Sequence, residues 1–275
     1  MSGQLFVVAR PIGNIKDITK RAVEIFESVD IIAAEDTREF KVLAGQLGLK
    51  YRKLVAYHDH NEENSASGLL ALLKEGKSIA IVSDAGTPGV NDPAFRLVKK
   101  AFEEKILVSP IPGASSLTAI LSVCPIGGIS HYYGGFLAPT SSKRKGELKR
   151  LAGVSEKLVF FESPHRLIDH LEDAREVLGD IEVFIGREMT KSFETFYWSK
   201  ISEALGTFKE KAPKGEFVLV FGLSVPVEVE ENLDDWLREQ INAGRPPKEI
   251  LKEAKNRSKM DRKKLYKKIL ELKGK

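Results

Sequence analysis

The chain has 275 residues, 42% of them hydrophobic and 30% charged, and can bury a substantial core; its length favours two domains and a small third. No apolar run approaches the roughly 18 residues of a membrane span, and MSGQLFVVARPIGN lacks the basic start and long apolar stretch of a signal peptide, so a cytoplasmic location is expected. Cys124 is the sole cysteine, which excludes an intrachain disulfide and a thiolate zinc cluster and leaves it as a small core residue. The net charge of +4 is uneven: residues 245–275 hold 13 Lys and Arg against 4 Asp and Glu, leaving 30 against 35 in the rest. A basic tail on a mildly acidic body suggests a polyanion-binding appendage, although lysines often form only a solvated helix face.

LFVVAR (5–10) reads as a first strand, followed by the Pro11-Ile12-Gly13-Asn14 turn and a helix opened by Asp17 or Thr19. VDIIAAED is a second strand, EFKVLAGQLGL a helix, KLVAYHDHN a third strand and SASGLLALLKEG a helix. SIAIVSD is the fourth strand. The loop SDAGTPGVNDP follows it, with Asn91 or Asp92 able to cap the helix PAFRLVKKAFEE and Pro93 suited to its first turn. In open α/β sheets ligands sit in such loops, at the carboxyl ends of strands. ILVSPIPG gives a short strand, which completes a mostly parallel, doubly covered sheet over residues 1–112.

After a helix at Ser116 to Cys124 the pattern restarts with YYGGFL, a basic linker, KLVFFES, a helix from His165 to Leu178, IEVFIGRE, a short segment from Thr195 to Ile201, and FVLVFGL. This predicts a second α/β domain over 113–223 with antiparallel pairs possible. SVPVEVEEN reads as a linker. Residues 231–275 form three short helices, the first capped by Asn232, the second over Pro247 to Lys255, and the third opened by a capping box from Ser258 to Asp261. Leu265, Ile269 and Leu270 face inward and Arg262, Lys263, Lys264, Lys267 and Lys268 outward, as in a helix-turn-helix unit.

Neither G-x-x-x-x-G-K-[ST] nor G-x-G-x-x-G occurs, and Ser83 and Ser163 lack the G-x-S-x-G elbow of serine hydrolases. His58-Asp59-His60 has no evident third metal ligand, so no metal is expected. LFVVARPIGNIKDIT, AAEDTR, HDHNE, SDAGTP, PGASS, FESPHR and GREMTK occur in this order. Together they resemble the ribosomal RNA small subunit methyltransferase I family, within the tetrapyrrole-methylase superfamily.

The resemblance implies two α/β domains of tetrapyrrole-methylase type plus a C-terminal three-helix unit, usually in a homodimer. It implies S-adenosylmethionine as cofactor and methylation of the 2′-hydroxyl of a cytidine in the decoding region of 16S rRNA. By the same resemblance the cofactor lies between the domains, touching Pro11, Asp84, Gly86, Thr87, Ser115, Ser116, Phe161 and Gly186. The chain departs from the family's TPIGN at Arg10 and from its GFLP at Ala138-Pro139.

A hydroxyl is a poor nucleophile while protonated, so the reaction needs alignment and a proton acceptor. Glu188, with Arg187 and Lys191 beside it after IEVFI, supplies a base and cations in the expected place. Glu35, Asp36 and Arg38 form a rival constellation, as do His58, Asp59, His60 and Glu62. Lys143, Arg144 and Lys145, together with Arg262, Lys264 and Lys268, form two basic patches for RNA phosphates, and Tyr57, Tyr132 and Tyr133 are candidates to stack a base. Alternative substrates within the superfamily are a tetrapyrrole precursor or an elongation-factor side chain. A different class of function is a non-catalytic, ligand-sensing, nucleic-acid-binding protein.

Overall fold

A computed structural model describes residues 3–57, 62–92, 94–223, 233–257 and 262–273. The expected cap at Asn232, the capping box at 258–261, the first-turn Pro93 and the HDHN stretch lie outside the described residues, as do the side chains of Glu62, Arg262 and Lys263.

The first sheet runs in the order β3-β2-β4-β1-β5, all parallel, from β1 (Gln4–Val8), β2 (Ile31–Ala34), β3 (Leu54–Ala56), β4 (Ile79–Val82) and β5 (Leu107–Ile111). Its strands are apolar on both faces because helices cover both. Ile31, Ala33, Ile79 and Ile81 point to α3 (Glu62–Lys74) and α4 (Ala94–Glu103), packing on Ala66, Leu69, Leu73, Leu97 and Ala101. Their neighbours Ile32, Ala34, Ala80 and Val82 point the other way, onto Ala22 and Phe26 of α1 (Lys20–Ser28) and Phe40 and Ala44 of α2 (Thr37–Leu47). This is the alternation of a strand's side chains between two cores. Thr19 caps α1 through its hydroxyl, and Asp36 caps α2 through its carboxylate.

The second sheet has the order β6-β7-β10-β8-β9, from β6 (His131–Tyr133), β7 (Lys157–Glu162), β8 (Glu182–Arg187), β9 (Thr195–Lys200) and β10 (Phe217–Gly222). Only β6 and β7 pair in parallel. One face, through Leu158, Phe160, Val183, Ile185, Leu219 and Phe221, is covered by α6 (Ser141–Leu151), α7 (Leu167–Leu178) and α8 (Ile201–Glu210). The other carries Val159, Phe184, Val218 and Val220, with Phe161 packed beside them, against Ile120 of α5 (Ser116–Val123).

Three expectations need correction. The basic linker is the helix α6: Leu148 and Leu151 bury one face of it, and Arg144 also turns inward. The short segment from Thr195 is a six-residue edge strand leading into α8, a helix the sequence reading did not contain. YYGGFL is strand only through Tyr133, after which Gly135, at φ +62°, turns the chain out of the sheet.

The chain divides into two compact units, Met1–Ser224 and Val225–Lys275. In the second, α9 (Leu233–Asn242), α10 (Pro247–Arg257) and α11 (Arg262–Lys273) close on a small core of Trp236, Leu237, Ile250, Leu251, Ala254, Leu265 and Ile269.

Candidate active site

The loops after β1, β4 and β5 leave the carboxyl ends of three adjacent strands and are knitted together. Arg10 and Gly86 exchange both backbone hydrogen bonds (2.9 and 3.1 Å), and the Thr87 hydroxyl donates to the Ala114 carbonyl at 3.0 Å. The loop after β2 joins them: the Asp84 N–H donates to Glu35 Oε2 at 3.1 Å, and the Asp36 N–H donates to Asp84 Oδ1 at 3.0 Å. Arg10 lies 8% exposed behind this acidic group, its Nη1 donating to the Ser83 carbonyl. Burial draws the guanidinium's pKa down, opposed by the fields of Asp84, Glu39 and Glu35. The residue that departs from the family pattern therefore braces the SDAGTP loop from behind.

Opposite these loops the second sheet presents one row across three strands. Val218 of β10 stands between Phe161 of β7 and Gly186 of β8. A Cβ at Gly186 would come within 2.6 Å of Ile120 Cδ1 and 2.9 Å of Met189 Sδ, so any side chain there would displace those two. Between loops and row lies a cleft of about 340 Å³, within the size range of small-molecule sites.

Asp84, Gly86, Thr87, Ser115, Ser116, Phe161 and Gly186 all line this cleft; Pro11 does not, its neighbour Ile12 taking that place. Gly86, at φ +74°, uses a backbone conformation open to glycine. Ser115, the N-cap of α5, makes no side-chain cap bond, so its hydroxyl does not satisfy the first N–H groups of a helix that starts on the cleft lining.

Arg187, Glu188 and Lys191 are absent from the cleft lining among the described residues. Glu188 Oε1 accepts from Lys191 Nζ at 3.0 Å and from the Glu216 N–H at 2.9 Å. Burial raises the Glu188 pKa, but these donors and the nearby cations outweigh it and hold the group below its ordinary value. The Arg187 Nε donates to the Lys214 carbonyl, and Lys191 also pairs with Glu216. Glu188 and Thr190 adopt φ of +51° and +66°, a strained state for residues with side chains. The Thr190 hydroxyl accepts the Asn14 N–H at 3.0 Å, joining this loop to the turn after β1. The trio is thus a clasp that shapes the loop.

In the rival set, Glu35 lines the cleft, whereas the Asp36 carboxylate is bound to Arg38 and pulled down to about 2 by that hydrogen bond. His58, Asp59, His60 and the Glu62 side chain lie outside the described residues. Among the described residues no group of three or more His, Cys, Asp and Glu is arranged to hold a metal, and no helix is long and apolar enough to cross a membrane.

Glu162, which the sequence reading did not single out, also lines the cleft. Its fully buried carboxylate accepts from the Ser163 N–H at 2.8 Å and pairs with His170 Nδ1 at 2.9 Å. His170 is itself fully buried between Phe160 and Phe221, and burial draws its pKa down, so it is neutral and donates to the carboxylate.

Of the basic residues assigned to RNA, Lys143 is exposed, but Arg144 is 2% exposed. Its Nε donates to Asp173 Oδ2 at 2.7 Å, which removes it from any phosphate-binding surface and corrects the expectation. Lys145 is tied to Glu176 and Asp173. Lys264 is exposed on α11 and Lys268 half-buried. Tyr57 is 1% exposed within the first core and cannot stack a base; Tyr132 packs on the second core, and Tyr133 lies edge-on to Phe161.

The sequence model of the Tetrapyrrole (Corrin/Porphyrin) Methylases matches residues 4–205. The ribosomal RNA small subunit methyltransferase I of Escherichia coli O157:H7 is 45% identical over 221 residues, covering 79% of this chain and 77% of that protein. The protein of the same name from Synechocystis sp. is 39% identical over 275 residues, 98% of each chain. The chain belongs to the ribosomal RNA small subunit methyltransferase I family. Among solved structures, uroporphyrin-III-C-methyltransferase from Thermus thermophilus superposes with a TM-score of 0.55 at 18% identity, covering 83% of this chain and 98% of that one. A further structure of that enzyme, complexed with S-adenosyl homocysteine, gives 0.56 at 16% identity, over 81% and 98%. These likenesses concern the fold, which the ribosomal RNA family shares.

Proposed function

We propose that this protein transfers a methyl group from S-adenosylmethionine to the ribose 2′-hydroxyl of a cytidine in the decoding region of 16S rRNA. The observation that carries this reading is the cleft itself, where three knitted strand-end loops face the Phe161–Val218–Gly186 row in a chain of this family. The cleft fits the cofactor. Asp84 and Glu35 suit a cationic ligand, the start of α5 at Ser115 and Ser116 offers backbone donors for a carboxylate, and Phe161, Met189 and Val218 offer apolar walls. The cofactor supplies an electrophilic methyl on a sulfonium that leaves as a neutral thioether, so no acid is needed for the leaving group.

The protein's own work is to align the hydroxyl and accept its proton. The acceptor belongs among the carboxylates on the cleft lining, since the Glu188 clasp lies behind it and the Glu162 carboxylate is held by His170 and Ser163. The exposed Lys143 and the three-helix unit with Lys264 and Lys268 serve to hold RNA phosphates, which position a substrate without reading its sequence. We also place the protein in the cytoplasm as a homodimer. The exposed Phe193, Phe196 and Trp198 on and beside the edge strand β9 form an apolar face suited to a second copy.

Transfer of labelled methyl to small ribosomal subunits lacking the modification, with the product mapped by mass spectrometry, tests the reading. A methylated cytidine 2′-oxygen is expected. Transfer only to a tetrapyrrole precursor, or cofactor binding without transfer to either substrate, would overturn it.

A further inference from the structure

The GGFLAP loop carries a feature that cofactor binding leaves unused. Phe136 is 49% exposed, and of the exposed large apolar side chains among the described residues it is the aromatic one that lines the cleft. Leaving such a ring half in water costs apolar burial unless something covers it. The loop is held on both sides of the ring: the Gly135 carbonyl accepts the Phe161 N–H at 2.8 Å, and the Arg166 guanidinium donates to the Leu137 and Ala138 carbonyls. Phe161 supports Phe136 from below, edge-on, with ring centroids 5.8 Å apart. The ring is thus backed by Phe161 and left half in solvent on the cleft lining.

One hydrogen-bonding side chain stands beside it on the cleft lining. Gly135 packs so tightly on Asn91 that a Cβ there would stand 2.8 Å from Asn91 Oδ1 and 4.0 Å from the Tyr133 hydroxyl. Asn91 is exposed and lines the cleft, and its carboxamide carries both a donor and an acceptor. The Tyr133 hydroxyl, buried with no hydrogen-bond partner and with its pKa raised to about 12 by burial and the field of Asp92, is not on the cleft lining. A flat π face with a mixed donor and acceptor edge beside it matches the chemistry of a pyrimidine base splayed out of a strand.

We propose that Phe136 and Asn91 form a subsite for the base of the nucleotide being methylated, with Phe136 as its stacking platform. The inference rests on the RNA-methylating reading above, and places the ribose of that nucleotide in the cleft beside the cofactor.

The test compares the full-length wild type with Phe136→Leu, which keeps apolar bulk but removes the π face, with Phe136→Trp, and with Asn91→Leu. S-adenosylmethionine affinity is measured by calorimetry, and single-turnover transfer is measured over a range of unmodified small subunits. Phe136→Leu should lower the ratio of rate to half-saturating subunit concentration by at least about fivefold, the lower end of what removing a stacking ring costs. Cofactor affinity should stay within about twofold, which also reports an intact fold. Phe136→Trp should restore the ratio, and Asn91→Leu should lower it while sparing cofactor affinity. If cofactor affinity falls in step with transfer in Phe136→Leu, the ring serves the cofactor and the subsite is wrong; unchanged transfer in both leucine variants overturns it as well. A wild type that methylates no RNA would instead sink the function on which the inference rests.

Discussion

Asp84 accepts a hydrogen bond from the loop after β2 while its own N–H is held by Glu35, so its carboxylate is fixed at the cleft edge before any ligand arrives. Asp84→Ala is expected to weaken S-adenosylmethionine binding by at least about tenfold in calorimetry, the scale of one charge-assisted contact, with little change in melting temperature. Glu188 makes the opposite case. Its carboxylate compensates two left-handed residues in the GREMTK loop, so Glu188→Ala should cost about 1–3 kcal/mol in denaturant titrations and leave the shape of the rate-against-pH profile unchanged. Loss of the alkaline plateau of that profile would restore Glu188 as the base. Buried, neutral His170 gives a pH signature. Its folded pKa is depressed, as is that of Glu162, so their contribution is present above the unfolded values and is lost as pH falls through them. Stability should therefore begin to decline below about pH 6.5, where an unfolded histidine takes up a proton, and His170→Gln should flatten that first part of the slope.

Helix α6 shows how a charged run can hide structure. Arg144 reads as one of three basic residues after a proline loop, yet its guanidinium is fixed between Asp173 and the Ala138 and Pro139 carbonyls. Removing one partner of a buried ion pair costs about 3–5 kcal/mol, so Arg144→Ala should unfold at markedly lower denaturant, while Lys143→Ala, at an exposed neighbour, should leave stability unchanged. The parallel strands were legible because Ile31–Ala34 and Ile79–Val82 are short apolar runs between turn signals. The loops that build the cleft were legible through their motifs, and seven of the eight residues assigned to the cofactor line one cavity. What stayed hidden depends on pairing across the chain. Nothing local distinguishes His170 from a surface histidine on an amphipathic helix, because its partner Glu162 lies on β7 and its neighbour Phe221 on β10. Phe136 was similarly masked, since YYGGFL reads as continuous strand until Gly135 turns it outward. Phe196 and Trp198 alternate on β9, but the run was too brief to announce either that strand or the helix α8 that follows.

For the molecule as a whole, charge and structure divide at nearly the same place. The unit Val225–Lys275 has its own core and carries the strongly basic stretch, whereas the unit Met1–Ser224 holds the cleft. Deleting residues from 225 onward should leave a body that binds S-adenosylmethionine with unaltered affinity but methylates subunits poorly at moderate salt. Substituting Arg262, Lys264 and Lys268 together by alanine should reduce the slope of log affinity against log salt by about 2, given roughly 0.7 per phosphate contact on single-stranded RNA. An unchanged slope would make the tail a solvated surface. The order of β10 in the second sheet carries a different consequence, for synthesis. This strand, at Phe217–Gly222, lies between β7 and β8, so each of those two has an edge with no partner until the chain has emerged past residue 222. The first sheet has all its strands by Ile111 and can close early in translation, whereas the second must wait until residue 222 has emerged. A chain that had emerged only to about residue 210 would present β7 and β8 as open templates for neighbouring chains, making that stage the moment of greatest risk for aggregation.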